Sequence, residues 1–202
     1  MDLWSSADCA AWAAAFDRYP VIVQAQQVNG LAEVDTWYRE ELPGLIAGRD
    51  PAYATLDELQ WVTAWKMKRG VWRERNRKLV AGNPPAVVEV TSRTAFAAAP
   101  HPRRPLALLS DLAGVGPATA SGLLAAYRPD LYPFFDELVA AQIPGLGPVA
   151  WTAPYYVRYA AALYERAAAL RSACPDHAWT AQDVEQALWA ASGGKAGAAA
   201  TG

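Results

Sequence analysis

Apolar side chains recur at helical spacing along most of this chain, and runs alternating between apolar and polar residues are almost absent. Ser6 is an N-cap candidate for a first helix from Ala7 to about Arg18, with Trp12 and Phe16 on one face. Pro20 opens a second helix that runs to the Asn29-Gly30 pair. Leu31 to Glu41 carries Leu31, Val34, Trp37 and Tyr38 on one stripe, and Leu42-Pro43-Gly44 is expected to end it. Thr55-Leu56-Asp57-Glu58 has the form of a capping box, so a helix should start near Leu56 and run to Arg69. Gly70 interrupts it, and a second piece follows from Val71 to Val80.

Residues 97–105, with three prolines, read as a loop holding His101, Arg103 and Arg104. Two short helices, Leu106 to Ala113 and Pro117 to Tyr127, then flank Gly114-Val115-Gly116. Further helices are predicted at 137–142, 155–173 and 180–191. The strongest strand candidate, Val87-Val88-Glu89-Val90-Thr91, is short and isolated. The pattern predicts an all-α fold, a compact multi-helix domain over residues 1–192 with room for two lobes around a cleft. Residues 193–202 are Gly/Ala-rich and read as a disordered tail.

Composition changes little in this picture: 202 residues, 53% of them hydrophobic, are enough for one real core. No apolar run reaches the roughly 18 residues of a membrane helix. The opening segment is too weakly apolar for a signal peptide, with Asp2 and Asp8 in it, so a cytoplasmic protein is expected, nucleoid-associated if it binds DNA. Cys9 and Cys174 lie far apart with no second pair, which argues against a zinc site, an iron–sulfur cluster or a disulfide framework. His101 and His177 have no neighbours at ligand spacing, and neither a metal nor a cofactor is expected.

Charge matters more. The net charge is −2, yet residues 65–78 hold Lys66, Lys68, Arg69, Arg73, Arg75, Arg77 and Lys78 against the single acid Glu74. Such a concentration in an acidic chain is the footprint of a polyanion contact. Some of these cations are expected to pair with Asp57 or Glu58 instead. Trp61, Trp65 and Trp72 are spaced as a core stripe, with base stacking by Trp65 and Trp72 as the alternative. Tyr155, Tyr156, Tyr159 and Tyr164 are expected in the core.

The segment from Leu108 to Ala120 carries the most information. Two glycines around one apolar residue permit a tight turn, Val115 can pin it inward, and Pro117 suits the first turn of the next helix. The free N–H groups of that helix start, around Ala118 and Thr119, would form a phosphate site without any cation. Ile143-Pro144-Gly145-Leu146-Gly147-Pro148 reads as a capped loop, with a second phosphate grip as the alternative.

Gly114-Val115-Gly116 followed by Thr119-Ala120, closed 22 positions after Gly114 by Asp136 in Tyr132-Pro133-Phe134-Phe135-Asp136, resembles the helix-hairpin-helix of the DNA glycosylase superfamily, the endonuclease III and adenine-glycosylase type. The resemblance covers about thirty residues. It implies a DNA-repair-like protein that binds the DNA backbone through the hairpin and uses Asp136 as catalytic carboxylate. Ala118 occupies the position where lyase members carry Lys, so the resemblance implies a monofunctional N-glycosylase. Glu137 and Leu138 also depart from the family pattern after the Asp. The Gln24, Gln26 and Gln27 segment reads as a polar helix face, and is faintly similar to the family element that fills the gap behind a flipped base. Two other function classes fit the same residues: a DNA-binding module without chemistry, and a protein-interaction domain using its tryptophans.

Overall fold

Side-chain caps and prolines set most of the helix starts. The computed structural model describes residues 2–196, and every regular element among them is helical. Asp8, not Ser6, caps the first helix, α1 (Cys9–Asp17), and α2 (Tyr19–Ala25) follows directly with Pro20 in its first turn. Then come α3 (Leu31–Thr36), a π-helical turn over Trp37–Glu41, and α4 (Leu42–Ala47). Leu42-Pro43-Gly44 therefore does not stop the chain's helical path: Pro43 sits where a missing N–H costs nothing.

The capping box at Thr55 is formed, and α5 (Leu56–Arg69) runs to the expected end. After a short connector come α6 (Glu74–Ala81), α7 (Pro85–Ala97) and α8 (Arg104–Ser110). The strand candidate at 87–91 lies inside α7. Its β-branched residues are overridden because Pro85 starts a helix whose Val88, Ser92, Ala95 and Phe96 bury one helical stripe. The chain continues through α9 (Pro117–Tyr127), α10 (Glu137–Ala140), α11 (Ala153–Ala173) and α12 (Ala181–Ala191).

The central element is α9. All of its residues from Ala118 to Ala126 are buried, and it packs on α4, α5 and α8. Gly122 lets α5 approach closely, since a Cβ there would lie 3.0 Å from Val62. Tyr38 Oη also donates to the Gly122 carbonyl at 2.7 Å while its ring stacks on Trp65. At the other side α12 is clasped by α1 and α11.

Several expectations change here. Cys9 and Cys174 are bonded to each other, because α1 and the end of α11 bring their Cα atoms to 5.5 Å. Of the tryptophan stripe only Trp65 is core. Trp61 and Trp72 are about half exposed, at 54% and 50%: Trp72 because the helix breaks after Arg69 and the i+11 register is lost, Trp61 although it shares α5 with Trp65. Tyr164 is also exposed, on the outer face of α11. Gln26 is buried rather than part of a polar face. It donates to the carbonyls of Ile22 and Gly193 and accepts from the Ala196 N–H, so residues 193–196 pack as an ordered turn. The rest of the expected tail, 197–202, lies outside the described residues. No described helix is long and apolar enough to cross a membrane.

Candidate nucleic-acid interface

The glycine turn between α8 and α9 is built from within. Leu109, Leu112 and Val115 are buried and anchor it, with Leu123 and Leu124 of α9 beneath. Gly114 has φ +77°, and a Cβ there would meet the Asn76 carbonyl at 2.7 Å and Leu79 Cβ at 2.8 Å. It is a packing residue, not a ligand contact: its face is closed by α6. Asn83 completes the clamp. Its amide donates to the Ala113 carbonyl and its oxygen accepts the Ala113 N–H, both at 2.9 Å.

Gly116 differs. It is the N-cap of α9, extended at φ −99°, with nothing near the place of a Cβ and no side chain to cap the helix. Pro117 has no N–H, so the first-turn N–H groups of Ala118 and Thr119 are the ones without an intrahelical acceptor. Both residues are buried as a whole, at 6% and 3% exposure, and border the hollow beside the turn.

Directly beside this turn opens a small cleft of about 70 Å³. Lys66, Arg69, Arg73, Ala118, Asp136 and the half-exposed Trp151 are among the residues that line it. The same Lys66, Arg73 and Trp151 also border the neighbouring hollow along Gly116, Pro117 and Thr119. Burial lowers the Lys66 pKa from its ordinary value, with help from the charge of Arg73.

Asp136 is placed by two local devices. It caps α10, accepting the Leu138 N–H at 2.8 Å, and the strand-like segment before it is tied to α9 through the Phe135 N–H and Ser121 Oγ at 2.9 Å. Its second oxygen lies 3.3 Å from Arg69 Nη2. Asp136 is 8% exposed, and burial pushes its carboxyl above the ordinary range while Arg69 pulls it down.

Arg69 is the centre of a buried ionic cluster. At 2% exposure, it meets Glu185 of α12 at 2.8 Å as well as Asp136, and Tyr19 Oη at 3.2 Å. The guanidinium carbon lies 4.4 Å from the Trp189 ring centre and 4.9 Å from that of Phe134. Burial works against its charge, yet Glu185, Tyr19, Asp136 and Asp35 together hold its pKa above the ordinary value. Glu185 is fully enclosed and is pushed up to about 7 by burial, although Arg69 and the Gln182 amide both oppose this.

The basic segment is therefore divided by the fold. Arg69 is unavailable to a phosphate, because it is 2% exposed and its Nη1 and Nη2 are engaged by Tyr19, Asp136 and Glu185. Lys68 is turned away to the Asn29 carbonyl. Arg77 chelates Glu74 on the same helix, and Glu58 pairs with Arg49, outside the segment. Lys66 and Arg73 face the cleft, while Arg75 and Lys78 are on the exposed side of α6. Sequence reasoning missed Trp151 and Glu185. A glutamate among the apolar positions of 181–190 was a legible signal, but for Trp151 there was none.

The second Gly-x-Gly turn is a loop: Gly145 and Gly147 have φ +79° and +72°, and no helix begins until Thr152 caps α11. Comparison of the chain with protein-family models, with characterised proteins and with solved structures finds no significant match.

Proposed function

We propose that this protein binds DNA through the α8–α9 hairpin and acts as a monofunctional, glycosylase-like repair protein on a nucleotide drawn into the adjacent cleft. The observation that carries this reading is that Ala118, at the uncapped start of α9, and Asp136, at the cap of α10, border one cleft with Lys66 and Arg73. The bare N–H groups hold a phosphate, the two cations neutralise its neighbours, and the carboxylate faces the sugar.

In cleavage of an N-glycosidic bond, positive charge builds on the sugar and a fixed carboxylate stabilises it or orients the attacking water. Arg69 serves this by keeping Asp136 ionised against its burial. With Ala at 118, no Schiff base forms at that position. The reading places the protein at the nucleoid in the cytoplasm, where disulfides are rare. Thiol titration of freshly extracted protein, reporting the state of Cys9 and Cys174, bears on that placement.

One observation favours a second reading, a DNA-binding module without chemistry. Both oxygens of Asp136 are already engaged, one by Leu138 N–H and one by Arg69.

The test is duplex binding at two salt concentrations for wild type, Gly116→Val and the Lys66→Ala/Arg73→Ala pair. Because a Cβ at Gly116 meets nothing in the protein, Gly116→Val keeps the fold and obstructs only an approaching ligand. A salt-sensitive wild type and about tenfold weaker variants support binding. Base release from a panel of damaged duplexes, abolished in Asp136→Asn, then separates enzyme from module. A wild type that binds no DNA at low salt overturns both and turns attention to protein partners.

A further inference from the structure

The connector 70–73 has two sides. Val71 and Arg73 border the cleft, whereas Trp72 between them lines a separate groove together with Trp61 of α5. The small side chain of Ala64 keeps the floor of this groove open, and Gln60 stands beside it. Both rings are held. Trp61 is backed by Trp37 with ring centres 5.6 Å apart, and Trp72 Nε1 donates to Glu74 Oε2 at 3.2 Å.

The groove is not acidic, although Glu74 borders it. Arg77 makes a two-pronged contact to that carboxylate, at 2.6 and 2.9 Å, and cancels its charge. The same stretch also carries the exposed cations Arg73, Arg75 and Lys78, which do not line the groove and for which no ion pair is found among the described residues. Of these, Lys78 is the one whose charge acts on Glu74. Two held aromatic residues beside a run of exposed cations match a ligand with planar aromatic groups on a polyanionic backbone. That combination is single-stranded nucleic acid, whose bases stack on aromatic side chains while basic residues follow the phosphates.

We propose that the Trp61–Trp72 groove is a stacking subsite for an unpaired base, on a strand whose backbone crosses the 70–73 connector from the cleft. This rests on the nucleic-acid reading above and adds a substrate class to it: DNA with an unpaired stretch beside the nucleotide in the cleft. An acidic protein segment would satisfy the cations but leave the two ring faces without planar partners.

The experiment is binding of oligo(dT) of about twenty nucleotides, and of a duplex of equal length, to the full chain by fluorescence anisotropy. The variants are Trp61→Ala, Trp72→Ala and Trp72→Phe, all at half-exposed positions, with circular dichroism to verify the fold. The expected result is about a tenfold loss of oligo(dT) affinity in each Ala variant, duplex binding within about twofold of wild type, and substantial recovery in Trp72→Phe. Unchanged oligo(dT) affinity in both Ala variants, with duplex binding intact, overturns the subsite alone and leaves the groove to a protein partner. Failure of wild type to bind either nucleic acid overturns the underlying reading as well.

Discussion

Two segments of this chain share the pattern Gly-x-Gly-Pro, at Gly114-Val115-Gly116-Pro117 and at Gly145-Leu146-Gly147-Pro148, and the fold uses them differently. In the first, only Gly114 has a positive φ, and α9 starts at once behind Gly116 with bare N–H groups. In the second, both glycines have positive φ, the chain runs on to Thr152, and that side chain accepts the Tyr155 N–H of α11. Carbonyls, not N–H groups, are what the second turn has engaged: Leu146 accepts from Arg158, and Gly147 from Tyr155 Oη. Helix-start N–H groups are left without a partner only where the helix begins directly after the turn and no side chain caps it.

The widest gap between the two turns should appear on adding one methyl group. Gly114→Ala forces a Cβ into the backbone of α6 at a positive φ, and unfolding in urea should show a loss of about 4 kcal/mol. Gly145→Ala, in open space, should cost only the backbone strain, about 1 kcal/mol. Equal losses would mean that the α6 contact does not define the first turn.

The clamps should separate the turns next. Asn83→Ala strips two hydrogen bonds from Ala113 and should cost about 3 kcal/mol. Thr152→Ala removes only a helix cap, worth about 1 kcal/mol. A smaller loss at Asn83 than at Thr152 would show that the hairpin is held by its leucines and Val115 alone.

What lies behind the turns gives a third contrast, in pH. Only the first leads to the Arg69 cluster. The Glu185 carboxyl titrates near 4.5 in the unfolded chain and at about 7 in the folded one. Below 4.5 both forms are protonated; between the two values the unfolded chain gives up its proton first, so stability falls as pH rises through this window. Across it wild type should lose on the order of 2 kcal/mol more than Glu185→Gln. Asp136, pushed up by the same burial, adds a slope of the same sign that persists in the variant. Parallel stability curves from pH 4 to 8 would show that the Glu185 carboxyl titrates in the folded chain where it does in the unfolded one.

Much of the site was legible as local pattern. Pro117 and the apolar frame of α9 fixed the hairpin, and the position of Asp136 before Glu137-Leu138 matched a cap that the fold uses. The basic segment was legible only as a composition. Seven cations within fourteen residues could not show that Arg69 would be the one carried inside, because its partner Glu185 is 116 positions away. Nor could spacing show that Trp72 would come to the surface, since a helical stripe has meaning only while the helix continues.

The sequence by itself determined the helix starts near Pro20, after Thr55 and at Pro117, because caps and prolines act within a few residues of themselves. It determined the hairpin for the same reason. The tertiary structure decided the rest. It decided that Val87–Thr91 is helix, that Cys9 meets Cys174, that Arg69 is buried against Asp136 and Glu185, and that Ala118, Lys66 and Asp136 share a cleft. Each of these depends on groups distant along the chain. Burial and ion pairing are properties of what surrounds a residue, and only packing supplies those surroundings.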